Sequence, residues 1–544
     1  MVEQALITEN DTPAGAINTG KPEDHGIQVN SAGGDNTTLQ ARPLVRKFTS
    51  GPAPVEVYEK LKELPYSFFL DSGMNPLGLG RYSFVGFDPF LIFQSKGDRI
   101  QVTRKDAVET STGNPFQALK VLLGNYSIPR LPELPPFLGG CVGYFAYDLG
   151  EQLEILPSLA EDDLGIPDCI QGFYDTVLIY DHQDSVWLIS STGLPEADPD
   201  LRRKRAEQRL VEAANILDDK IRDATALWPD GTQEVSAAGN FSVSPEHHSG
   251  WSKAAELPEA SADLGGYLRT HFTPEEYRRA VQAAKDYIAA GDIFQVNLTQ
   301  RFDAPLPAEP FELYKVLRSI NPAPFASYLN YPEVVIASAS PERYLLVTGT
   351  RVETRPIKGT RPRGRNPVED KANREELLSS VKDRAELVMI IDLERNDLGR
   401  VCETGSVRVP DLIRLEEYPT VFHLVSTVEG RLPAGKNIVD MLVASFPGGS
   451  ITGAPKIRAM EIIEELEPVK RGIYTGSIGY ISFNGDADLN IVIRTFVIKD
   501  GWAYFQVGGG IVADSDPQLE YEETLHKGKA LRTALEICRK QNSR

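Results

Sequence analysis

Thr273–Phe302 reads TPEEYRRAVQAAKDYIAAGDIFQVNLTQRF, and the order of its signals decides the fold class. Thr273 is a helix N-cap, Pro274 takes the first helical position, Glu276 completes a capping box and Gly291 stands just past the last turn. A strand, Ile293–Phe302, follows at once. From there to the C-terminus strands and helices mix without the strict alternation of a doubly wound sheet, so the expected class is α+β. No internal repeat is visible.

Upstream, residues 227–268 run through Pro, Gly, Ser and His without periodicity, the composition of a linker or surface insertion. This stretch is the expected boundary between a region at 43–226 and a second at 269–541. Within the first, Tyr174–Ser191 alternates apolar and polar residues around a polar turn and reads as a hairpin. A charged helix is expected over Asp200–Ala224. Residues 1–42 are rich in Asn, Thr, Gly, Asp and Glu and are expected to be a disordered tail.

The chain has 544 residues, 57 basic against 77 acidic, and a net charge of −20, which speaks against a nucleic-acid partner. Anionic ligands must then be met by local positive sites. Cys141, Cys169, Cys402 and Cys538 show no paired spacing, so neither a disulfide framework nor a zinc site is expected. No basic flank precedes an apolar run at the start, and no apolar stretch approaches the roughly 18 residues of a membrane span. The expectation is a cytoplasmic protein without membrane contact.

Four constellations could carry chemistry. In TRPIKGTRPRG, Thr354–Gly364, Lys358 stands among Arg355, Arg361 and Arg363. Neighbouring cations can lower a lysine pKa and free its amine as a nucleophile, but the same pattern suits a solvated basic loop or an anion-binding patch. In DPQLEYEETLHKGKA, Asp516 and Pro517 open a helix that places Glu520, Glu523 and Lys527 on one face. Two such carboxylates can ligate Mg²⁺, although a solvent-exposed charged face is the plainer reading. FPGGSITGAPK and QVGGGIVADSDP, at 446–456 and 506–517, read as glycine-rich loops running into helices. Ala454 occupies the lysine position of a phosphate loop, which excludes the nucleotide reading. Gly139, Cys141 and Gly143 imitate a nucleophile elbow, but the required histidine base is missing and the surroundings look like an ordinary strand.

The order of GDIFQVNLTQRF, SASPERYL, RPIKGTRPRG, KDRAELVMIIDLERNDLGRV, FPGGSITGAPKIRAMEIIEELEP, YTGSIGYISF, IRT and GGGIVADSDPQLEYEET resembles the chorismate-utilising enzymes, the family of anthranilate, aminodeoxychorismate, isochorismate and salicylate synthases. RYSFVGFDPF and GGCVGYFAYD extend the likeness into the first half. The resemblance implies a layered α-β-β-α sandwich and a magnesium ion held by Glu386, Glu520 and Glu523. Arg494, Tyr474, Lys527, Thr427, Gly359, Thr360 and the backbone of Gly508, Gly509 and Gly510 would bind the substrate. Glu342 would be the general acid at the C4 hydroxyl, with a pKa raised by burial.

Two positions separate the branches. Gln295 stands where the water-using members carry a lysine base, which implies ammonia as the incoming nucleophile. Lys358 stands in PIKGT, as in the aminodeoxychorismate synthases, where anthranilate synthases show alanine. A lysine bonded at C2 would send ammonia to C4, on the way to p-aminobenzoate and folate, with a glutamine amidotransferase subunit as the ammonia source. The alternatives are an anthranilate synthase component I and a non-catalytic paralogue that holds the amidotransferase. Leu387 departs from the histidine or asparagine usual after the glutamate. FLDSG, Phe69–Gly73, matches only loosely the segment of tryptophan-inhibited members, so feedback control by tryptophan is not expected.

Overall fold

The capping signals at Thr273 form as read. In the computed structural model the Thr273 hydroxyl accepts from the Glu276 N–H at 3.2 Å and the Glu276 carboxylate accepts from the Thr273 N–H at 2.8 Å. The helix runs Pro274–Ala290, and Gly291 ends it at φ 85°, where a side chain would be strained. The strand that follows, Gln295–Pro305, is buried at every residue but the last, because both its faces are covered. Residues 39–72, 80–105, 107–217, 224–227, 267–418 and 421–542 are described.

Two sheets, of 12 and 13 strands, dominate. In the larger, Gln295–Pro305 pairs antiparallel with Trp502–Ile511, and Phe325–Asn330 pairs with Ser67–Asp71. In the smaller, Gly140–Phe145 pairs with Ser477–Ser482. Strands from both sides of residues 227–268 are thus neighbours in each sheet, and the described residues fall in one compact unit. The compositional boundary parts stretches of chain, not folded bodies: separating them would open a sheet edge in the middle of each layer. The linker reading itself falls mostly outside the described residues.

The sheets face each other through aromatic side chains. Phe84 from the larger sheet lies 5.4 Å from Tyr480 of the smaller, and Phe137 stacks on Tyr480 at 4.7 Å. Behind the larger sheet, helices Pro199–Leu217, Pro310–Ile320 and Lys529–Asn542 cover Trp187, Leu178 and Phe505 with Leu210, Leu317 and Leu535. Behind the smaller, helix Val381–Gly399 packs on strands Ile357–Pro362 and Val421–Arg431. The result is the expected α+β arrangement of two sheets between helical layers.

Several local readings change at their ends. The hairpin forms from Thr176–Asp181 and Val186–Ser191. The charged helix is described over Pro199–Leu217, and Ala224–Leu227 is a strand beside Leu44–Phe48 rather than its last turn. Of the expected tail, Leu39 and Gln40 pair with Tyr126 and Ser127, while residues 1–38 lie outside the described residues. Gly508–Gly510 belong to a strand, not a loop, and so does Lys358. Among the described residues no helix is long and apolar enough to cross a membrane.

Candidate active site

Asp516 starts the helix Pro517–Lys527 by accepting from the N–H groups of Gln518 at 2.9 Å and Leu519 at 3.0 Å. That start point turns Glu520, Glu523 and Lys527 toward the strand Trp502–Ile511. A Cβ built on Gly509 would lie 3.4 Å from Glu520 Oε2, 3.4 Å from Lys527 Nζ and 3.5 Å from Glu523 Oε1, so the three groups converge over bare backbone. At Gly510 the same atom would lie 2.3 Å from Gln295 Nε2. These glycines answer to close approach across the sheet, not to loop conformation. Lys527 Nζ donates to the Gly508 carbonyl at 2.9 Å and pairs with Glu523 Oε1 at 2.7 Å.

Lys358 enters from the other side, on strand Ile357–Pro362. A bulge at Gly359, whose φ is 75°, separates Lys358 opposite Leu424 from Thr360 opposite His423. A Cβ on Gly359 would meet Asp383 and Leu377 at 2.9 Å, so the strand there is pressed against the helices behind it. The lysine amine is pushed below its ordinary range, first by burial and then by Lys527, against the pull of Glu342, Glu386 and Glu523. The three arginines are not the cause. Arg355 pairs with Glu416, Arg361 with Glu376 and, at 3.0 Å, with Asp383, and Arg363 with Asp370 at 2.7 Å.

Glu342 is buried, and burial raises its carboxyl above the usual range while Lys358, Ser450, Arg494 and Lys527 pull it back. The carboxyl therefore keeps its proton to higher pH, as expected of an acid. Ser450 ties the two groups together: its hydroxyl donates to Glu342 Oε1 at 3.0 Å, and its carbonyl accepts from Lys358 Nζ at 3.4 Å.

Arg494 has φ 54° and, among the described residues, makes no ion pair; its side chain donates to Asn321 Oδ1 at 3.5 Å, and its charge acts on Glu342. Burial presses the guanidinium pKa down against the pull of Glu342, and a cation so desolvated without an ion pair is suited to an incoming carboxylate. Tyr474 is buried nearby in the chain segment that Arg471 anchors. Thr427 is buried on the strand that also carries His423. His423 Nδ1 lies 2.8 Å from Thr360 Oγ1, and burial holds the ring's pKa down at about 4, so it is neutral.

Burial raises Glu520 and Glu386, and the charge of Glu523 raises both further; Glu523 itself, opposed by burial, is drawn below its usual value by Lys527. Glu523 thus senses both partners, and oxygen donors under this pressure suit a hard divalent cation. The three do not close into one tight cluster. Among the described residues the carboxylates that do are Asp148, Glu151 and Glu464, where Lys470 already pairs with Glu151 and, at 2.8 Å, with Glu464.

Ser450, Ser515 and His423 were not singled out by sequence. Ser515 donates to Glu520 Oε1 at 2.6 Å, and only its nearness to the helix start could have flagged it. Leu387 is fully buried, so the usual polar side chain after the glutamate is replaced by a core contact. Cys141 is a buried strand residue whose thiol is raised by burial, as expected of a non-nucleophile. Leu70, Asp71 and Ser72 of FLDSG border a cavity of about 60 Å³ between the sheets, and Asp71 there pairs with Arg318 at 2.6 Å.

Residues 81–533 match the chorismate binding enzyme family. Anthranilate synthase component 1 of Thermus thermophilus is 43% identical over 500 residues, 91% of this chain and 98% of that protein. Aminodeoxychorismate synthase component 1 of Bacillus subtilis is 39% identical over 463 residues, 85% of this chain and 91% of that protein. The solved structure of anthranilate synthase component I from Streptococcus pneumoniae TIGR4 is 32% identical with a TM-score of 0.67, covering 83% of this chain and 92% of that one. By the extent of the match and the order of its motifs, this chain belongs to the chorismate binding enzyme family.

Proposed function

We propose that the protein is an aminodeoxychorismate synthase component 1, which converts chorismate and ammonia to 4-amino-4-deoxychorismate and water. The observation that carries the reading is Lys358, an amine whose pKa burial pushes down, linked through Ser450 to a carboxyl whose pKa burial pushes up. Glu342 gives that proton to the C4 hydroxyl, which leaves as water, while Lys358 Nζ bonds to C2, the ring double bonds shift and the amine sheds a proton. Ammonia then bonds to C4, the C2–N bond to Lys358 breaks with return of the proton, and the ring diene is restored. Prior occupation of C2 by the lysine directs nitrogen to C4.

Gln295 supports ammonia as the nucleophile. It is buried, its Oε1 has no hydrogen-bond partner among the described residues, and an amide is no base for activating water. Arg494 and Lys527 would hold the substrate carboxylates, with Tyr474, Thr427, Thr360 and the backbone at Gly359 and Gly508–Gly510 shaping the pocket. Glu386, Glu520 and Glu523 would hold a magnesium ion, which offsets negative charge on a substrate carboxylate and restrains its orientation. The component numbers in the relatives' names accord with ammonia arriving from a separate glutamine amidotransferase subunit.

Incubation with chorismate, Mg²⁺ and an ammonium salt, followed by product chromatography, tests the reading. 4-Amino-4-deoxychorismate is expected, and anthranilate as the main product would defeat it. Anthranilate synthesis is the second reading, favoured by the 43% identity to a protein of that name. A chain that only holds an amidotransferase would leave chorismate untouched.

A further inference from the structure

Ser450 lies in a short 3-10 turn, Gly449–Ile451, that is pinned from three sides. The buried Arg471 donates to the Ile451 carbonyl at 3.0 Å, and Thr452 Oγ1 donates to the Gly448 carbonyl at 3.1 Å. A Cβ on Gly449 would lie 2.6 Å from Leu393, so the turn sits directly against helix Val381–Gly399. A turn so held has little freedom to let its serine swing away. Its hydroxyl points at Glu342, in the two-residue link between strands Val335–Ser340 and Arg343–Thr348, and its carbonyl at Lys358, on strand Ile357–Pro362. The other charged groups that act on Glu342 are Arg494 and Lys527, with Glu394 behind it on helix Val381–Gly399.

We propose that Ser450 is a positioning residue for the reaction assigned above, a rigid clamp that orients the Glu342 carboxyl with its hydroxyl and the Lys358 amine with its carbonyl. The hydroxyl bond fixes which carboxyl oxygen is engaged by protein and leaves the other for substrate. The carbonyl takes one N–H of the lysine and steers the nitrogen lone pair toward the pocket. Because the clamp's two arms come from one residue, acid and nucleophile keep a constant spacing.

Two measurements on the full chain test this. Infrared titration without substrate follows the protonated carboxyl band assigned by Glu342→Gln. Loss of a donor to the carboxylate destabilises its charged form, so Ser450→Ala should move the Glu342 midpoint to higher pH, and Ser450→Thr should return it. In steady-state assays with chorismate and ammonium, Ser450→Ala should lower kcat by roughly tenfold to a hundredfold, the scale of one hydrogen bond to a charged group, with KM little changed, and Ser450→Thr should recover most of the rate. The basic limb of the alanine variant's pH profile should rise with the infrared midpoint. An unmoved midpoint, or a rate loss that the threonine variant does not recover, would overturn the clamp. Failure of the wild-type chain to consume chorismate would defeat the reaction instead, and the infrared arm would still decide whether Ser450 holds Glu342.

Discussion

Arg471 offers the sharpest test of how the site is held. Its guanidinium is buried and bonds Glu467 at 2.7 and 2.9 Å, the Asn297 carbonyl at 2.6 Å and the Ile451 carbonyl at 3.0 Å, over the ring of Tyr147. It thereby joins the strand that begins with Gln295 to the turn that carries Ser450. Arg471→Met removes one partner of a buried ion pair and leaves Glu467 charged without its cation. Such a deletion costs about 3–5 kcal/mol, more than the ion pair contributes, since the stranded charge is the larger part of the penalty. Glu467→Leu combined with Arg471→Met removes that charge, and the double variant should recover at least about 1 kcal/mol of the loss. Recovery stays partial because the Thr299 N–H, which donates to Glu467 at 2.9 Å, is orphaned as well. Urea unfolding followed by tryptophan fluorescence measures all three proteins. A single variant within about 1 kcal/mol of wild type, or a double variant less stable than the single, would refute this account of the network.

Other expectations follow from the same geometry. Lys358→Ala should abolish the covalent intermediate, and mass spectrometry of the wild type with chorismate but no ammonia should find an adduct on Lys358; an unmodified lysine there would count against its role. Gly510→Ala should cost about 1–3 kcal/mol by forcing Gln295 aside, whereas Gly509→Ala, whose new contacts are 3.4 and 3.5 Å, should fold nearly normally. Equal melting temperatures for the two variants would contradict the close-approach reading. Glu394 is held protonated by burial and by the charge of Asp397, so its folded pKa is raised. The stability it contributes is full below the ordinary carboxylate range and is lost as pH rises through the raised value. Glu394→Gln, which cannot titrate, should therefore gain in melting temperature relative to wild type in mildly alkaline buffer, and a constant difference across pH would sink the prediction.

What sequence could read was what short range determines. The capping box at Thr273 and the Asp516 start are contacts two or three residues along the chain, and the common face of Glu520, Glu523 and Lys527 follows from helical period alone. The family likeness added the long-range set, Glu342, Lys358, Arg494 and Gln295, but as roles without bonds. Glycine shows how the same letters mislead: GGG at 508–510 suggests a loop when read locally, yet Gly508 is pressed by Leu298 and Thr299 and Gly510 by Gln295, all more than two hundred residues earlier on the neighbouring strand. The basic cluster around Lys358 misleads in the opposite direction. Its arginines look like the source of the lysine's reactivity, but Glu416, Glu376, Asp383 and Asp370 pair with them, and the amine answers to burial and to Lys527. Charge counted along a chain overstates the field at a site, because pairing partners arrive through the fold. Serine is the limiting case. FPGGSITGAPK marks the stretch around Ser450 but not the serine itself, whose role follows from where the turn at 449–451 is pinned: in three dimensions it touches both Glu342 and Lys358.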